Sequence, residues 1–283
     1  SIRDGRICHQ CIYHLVIRHL SSCHVSICHL FIRRKRILRR INYPLDIHRR
    51  KILSLVTNHF DMKSLTHLVI LAMMITSGIT AQENTHFTNP LIFDIVKGNY
   101  DPADYLPAFP VDDPYAISED LVNRINPDSM KATLLALRTF HNRNTGSDTV
   151  AADQGIGAAR KWILSQFDRY STNQGGRLIT GYLQFDQDVC GMERHKNVLA
   201  VLPGRDGSDP SCIIIEAHLD SRCADNCDIN CLAEGMEDNG SGVALVLELA
   251  RIMSSYVYDH TIVFMTVTGE EQGLVGSNAF ADY

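Results

Sequence analysis

Two short runs constrain this chain most. Residues 212–217 (CIIIEA) and 261–267 (TIVFMTV) are almost wholly apolar and rich in β-branched side chains. Runs of this length and composition suit strands buried on both faces, as in sheets covered by helices on each side. Between them, residues 242–256 read as a helix, with Val243, Leu247, Ala250 and Ile252 as its inward candidates. The pattern predicts an α/β fold: a mostly parallel or mixed central sheet with helices on both faces.

The upstream pattern agrees. Residues 177–185 alternate as a strand, and residues 197–202 form a second strand that Pro203 and Gly204 end. A helix that Asp128 can cap carries Leu134, Leu135 and Leu137 ahead of Phe140. A polar loop spans 142–153, and a second helix over 155–170 gathers Trp162, Ile163 and Phe167 on one side.

Sheets of this kind place their chemistry just beyond the carboxyl ends of strands. His218-Leu219-Asp220 follows the first apolar run and Gly269-Glu270-Glu271 follows the second, while Glu237-Asp238-Asn239-Gly240 precedes the helix between them. One imidazole with several carboxylates is a donor set that zinc accepts. A carboxylate has two oxygens, so Asp238, at a Gly-rich turn, is the candidate bridge between two ions. His218 is a candidate ligand, and Asp220 a candidate acceptor for its other ring N–H. Neighbouring side chains at a strand end diverge. One of Glu270 and Glu271 can therefore bind metal while the other handles the proton of the attacking water. Taken singly, each residue has an ordinary alternative: a surface histidine, a helix N-cap, a solvated glutamate pair. Asn239-Gly240-Ser241 fits a glycosylation acceptor, but the turn needs the same residues.

The segments EAHLDS, EDNGSGVALVLELAR and TGEEQGLVGS resemble the zinc metallopeptidase family of bacterial leucyl aminopeptidases, aminopeptidase Y and glutamate carboxypeptidase. The resemblance spans roughly residues 118–283. It implies the zinc exopeptidase fold and two Zn2+ ions per complete domain. It also implies His218 as ligand of one ion, Asp238 as bridge, Glu271 as ligand of the other, Glu270 as general base and Asp220 as the carboxylate behind His218. The activity implied is removal of residues from peptide or protein N-termini. The family's further Asp and His ligands are expected beyond Tyr283, so this stretch alone is expected to be inactive. Glutaminyl cyclase is a rival within the fold, and a non-catalytic truncated homologue is another. Asp238-Asn239-Gly240-Ser241-Gly242 and the paired glutamates favour the peptidase.

The remaining chain divides by composition. Residues 1–61 hold seven of the thirteen histidines, with His9, His14, His19, His24 and His29 at intervals of five. That period suits neither helix nor strand, and upstream non-coding translation explains it. A zinc knuckle around Cys8, Cys11, Cys23 and Cys28 lacks an apolar run beside it. Residues 62–81 have the three parts of a signal peptide, predicting a secreted or periplasmic protein with no membrane attachment after cleavage. Residues 82–117, rich in Pro, read as a strap or linker, and 118–283 as the peptidase domain. Residues 82–283 carry 14 Lys and Arg against 29 Asp and Glu, the wrong sign for binding nucleic acid. Their five cysteines favour disulfides, with Cys212, inside a buried run, as the unpaired one.

Overall fold

The computed structural model describes residues 83–283. The expected signal peptide and the histidine-rich leader lie outside them. The sheet has five strands in the order β1-β2-β3-β5-β4. They are β1 (Glu83–Phe87), β2 (Ile179–Val189), β3 (Met192–Leu202), β4 (Cys212–His218) and β5 (Thr261–Val267). The pairings β1–β2, β2–β3 and β3–β5 are antiparallel, and β4–β5 is parallel. The sheet is mixed, and the fold class is α/β.

Helices cover both faces. On one, α4 (Gly155–Asn173) and α5 (Gly242–Met253) pack Ile163, Phe167, Val243, Leu247 and Ala250 against Val198, Ala200 and Phe264 of the sheet. On the other, α1 (Pro90–Val96) and α6 (Val275–Asp282) bring Ile92, Ile95 and Ala279 onto Leu183, Leu199, Val263 and Met265. Every residue of β5 is buried, as its unbroken apolar run requires. β4 is only partly covered, because it has a neighbour on one side alone among the described residues. Burying a side chain such as Phe264 or Leu247 fully contributes about 1.5–3 kcal/mol.

The segment expected as a strap is instead folded. β1 joins the sheet edge, α1 buries Ile92 and Ile95, and α2 (Pro114–Arg124) runs across position 118. Its prolines open helices rather than prevent them. Pro90 and Pro114 occupy first helical turns, behind Asn89 and Asp113, whose side chains accept backbone N–H bonds. Proline suits that position because the first N–H groups of a helix have no partner to lose. The same chemistry moves the cap of α3 (Pro127–Arg138) from the expected Asp128 to Asn126. Asn126 Oδ1 accepts from the backbone of Asp128 and Ser129 at 2.9 and 3.2 Å.

Candidate metal centre

Strands β4 and β5 are parallel and in register, with His218 opposite Val267. Their carboxyl ends therefore emerge side by side, and the loops after them must share one edge of the sheet. Leu219 N–H bonds to Val267 O at 2.7 Å, closing that edge. The third cluster arrives through a turn that only glycine allows. Gly235 has φ +49°, and a Cβ there would meet Ser221 Cβ at 2.5 Å. After it the backbone leaves helical geometry at Asp238 and Asn239, across a cis peptide bond, before α5 begins. Asn239 Oδ1 accepts the N–H of Gly242, the first residue of α5.

The predicted residues converge in part. His218 Nε2 stands 2.9 Å from Asp238 Oδ1 and 3.9 Å from Glu270 Oε2. Burial opposes a charge on His218, but Asp220, Glu270 and Asp238 outweigh it and push the imidazole up to about 9. Burial raises the Glu270 carboxyl; His218 pulls it back, while Asp220, Glu271 and Asp238 add to the rise. Glu270 and Glu271 diverge, as adjacent residues at a strand end should. Glu270 turns to His218, and Glu271 Oε2 accepts from Arg222 Nε at 2.5 Å.

Asp220 acts differently from expectation. The acceptor at His218 Nδ1 is its backbone carbonyl, at 3.1 Å, while its carboxylate lies 3.7 Å away. That carboxylate, fully buried, accepts the backbone N–H groups of Glu270 and Glu271 at 3.2 and 3.1 Å. It builds the glutamate loop, and two backbone donors satisfy a buried charge better than one long contact to a ring.

Arg143 carries no signal in the sequence. It is 1% exposed and lies in the loop after α3. It donates to Leu219 O at 2.9 Å, Leu137 O at 3.2 Å, Glu234 O at 2.5 Å and Gly235 O at 2.9 Å. One guanidinium thus ties the His218 loop to the turn before Asp238. Burial lowers its pKa to about 10, against the pull of Asp220, so it stays charged at neutral pH. Nothing local in an Arg-Asn loop announces that three of the four acceptors lie 76, 91 and 92 residues away.

Two disulfides, Cys190–Cys227 and Cys223–Cys231, staple the loop between His218 and Asp238, and Cys212 is free, as expected. Arg222, Cys223, Gly235, Glu237, Asp238 and Glu271 line an open cavity of about 450 Å3.

The donor set suits zinc. Ligands on a tetrahedral zinc at Zn–N and Zn–O lengths of about 2.0–2.2 Å stand about 3.3 Å apart. The 2.9 Å between His218 and Asp238 is close to that bite. Among the described residues no three His, Cys, Asp or Glu side chains share one such point; Glu271, the third expected ligand, meets Arg222 instead.

Comparison with known proteins bears on the same residues. Residues 197–283 match the family model of Peptidase family M28. A "Probable zinc metalloprotease" of Pyricularia oryzae is 37% identical over 169 residues, covering 58% of this chain and 33% of that protein. A "Probable leucine aminopeptidase" of Arthroderma otae is 31% identical over 172 residues, covering 58% and 41%. The aminopeptidase LapA of Legionella pneumophila is similar in structure with a TM-score of 0.49 at 23% identity, over 62% of this chain and 42% of that one. The chain spans about a third of the length of the first curated relatives it matches. All three motifs lie within the stretch, residues 197–283, that matches the model of Peptidase family M28.

Proposed function

We propose that the protein of which this chain is part is a zinc-dependent aminopeptidase using two ions, and that its substrates are the N-termini of peptides or proteins. The observation that carries the reading is the meeting of His218, Asp238 and Glu270 at one sheet edge, 2.9 and 3.9 Å apart, inside the segment that matches a peptidase family.

His218 and Asp238 would hold one ion, and Asp238 with Glu271 the other. When bound, zinc polarises a carbonyl and lowers the pKa of a water molecule towards about 7. Glu270 is the proton carrier. Its carboxylate, 3.9 Å from His218 Nε2, is placed to take a proton from water and return it to a leaving amine. The His218 ring is fixed by the Asp220 carbonyl on Nδ1, which keeps Nε2 as the donor. Asp220 holds the two glutamates in place through their backbone. The open cavity beside Asp238 and Glu271 offers room for a peptide end. Two disulfides in the chain suit an oxidising compartment, in keeping with an exported protein.

The test is hydrolysis of an aminoacyl p-nitroanilide series by the full-length protein. Activity should vanish with a chelator and return with added zinc. A protein that cleaves none of the series, or keeps its rate after complete zinc removal, would defeat the proposal.

A further inference from the structure

We propose that Arg222 is a positioning residue for Glu271, fixing one carboxylate oxygen so that the other is presented as a metal donor. The proposal rests on the zinc peptidase reading above.

Arg222 is part of a built arrangement rather than a loose surface pair. Its Nε donates to Glu271 Oε2 at 2.5 Å. Its Nη1 donates to Asn226 Oδ1 at 3.1 Å and to Cys223 O at 3.3 Å. A planar guanidinium held on three acceptors has one orientation, which a lysine cannot reproduce. The Glu271 side chain is only 10% exposed, against 41% for Arg222. The carboxylate is therefore screened far less than one in an exposed pair.

Asn226 completes the frame. Its Nδ2 donates to the Glu271 carbonyl at 3.1 Å. Its own carbonyl accepts from Asn144 Nδ2 at 2.7 Å and Gln272 Nε2 at 2.8 Å. The next residue, Cys227, is bonded to Cys190 in the β2–β3 turn. Glu271 is thus gripped at three points: its N–H by Asp220, its carbonyl by Asn226 and Oε2 by Arg222. Oε1 accepts no hydrogen bond among the described residues. Groups that orient metal ligands in this way typically affect metal affinity by about 10–100-fold when removed.

The experiment measures zinc dissociation constants of the full-length protein by competition with a fluorescent chelator. Wild type, Arg222→Gln and Arg222→Lys are compared, together with the thermal midpoint of each metal-free protein. Arg222→Gln is expected to weaken the more weakly held zinc by about 10–100-fold. Arg222→Lys should recover part of the loss, and the loss of zinc affinity in Arg222→Gln should exceed what any change in its metal-free midpoint accounts for. Unchanged zinc affinity in Arg222→Gln would overturn the role. So would tighter binding, which would make the guanidinium a competitor of the metal. A loss of affinity that tracks a fall in the metal-free midpoint would reduce Arg222 to a fold contact and equally overturn it. Wild-type protein that binds no zinc would reject the peptidase reading itself, an outcome distinct from all of these.

Discussion

His218 Nε2 and Asp238 Oδ1 lie 2.9 Å apart although they stand twenty positions apart in the chain, with a disulfide-stapled loop between them. The parallel register of β4 and β5 sets the first residue, and the glycine-dependent turn before α5 sets the second. Neither depends on the other's side chain, so the contact is a product of the backbone.

If that pair holds zinc, Asp238→Asn keeps the shape and an oxygen but removes the charge. Zinc affinity of the full-length protein should fall by more than about 100-fold, beyond the range for an outer partner. Equilibrium dialysis with metal analysis measures it, and wild-type affinity in the variant would remove Asp238 from the ligand set.

Glu270→Gln separates proton transfer from metal binding. The kcat should drop by about 10²–10⁴-fold while zinc content and KM stay near wild type. A variant that loses zinc along with activity would show that Glu270 is a ligand instead of the base.

Asp220→Ala leaves the N–H groups of Glu270 and Glu271 without their acceptor in a buried place. Unfolding free energy should fall by about 2–4 kcal/mol, read from urea denaturation of metal-free protein. A change below about 0.5 kcal/mol, the level of an ordinary surface substitution, would contradict the role given to this carboxylate.

Arg143→Met removes the donor to four carbonyls and a buried cation that interacts with Asp220. The loss should reach about 3–5 kcal/mol, as when one partner of a buried charge is removed. Urea titration decides it. Stability equal to wild type would mean that water replaces the guanidinium without cost.

Replacing Cys190 and Cys227 together by Ser opens a cross-link between residues 37 apart in sequence. By the chain-entropy relation its contribution is about 4 kcal/mol, and the thermal midpoint should drop accordingly. An unchanged midpoint would show that the loop is held by its hydrogen bonds alone.

What the sequence revealed and what it hid have physical reasons. β5 was legible because each of its residues is buried, so the apolar run is unbroken. α5 was legible through its apolar spacing, although the helix ends at Met253 rather than Tyr256. His218, Asp238, Glu270 and Glu271 stood out because their polar clusters interrupt these apolar elements. The first folded segment reads as a linker because a proline looks alike in a linker and at a helix start; the capping side chains Asn89 and Asp113 before Pro90 and Pro114 are the signal that distinguishes them. Arg143 was out of reach because its acceptors are carbonyls, which every residue possesses. Arg222 and Asn226 lie close to the HLDS motif, yet only the folded loop shows that they converge on Glu271.

Asp220 grips positions 270 and 271 by their peptide groups and leaves their side chains alone. That grip is therefore indifferent to what those two positions carry. A substitution at position 270 leaves that grip in place, so a lineage with this framework can vary the side chain there while the loop persists. Conversely, drift at position 220 would dismantle the architecture even with both glutamates intact.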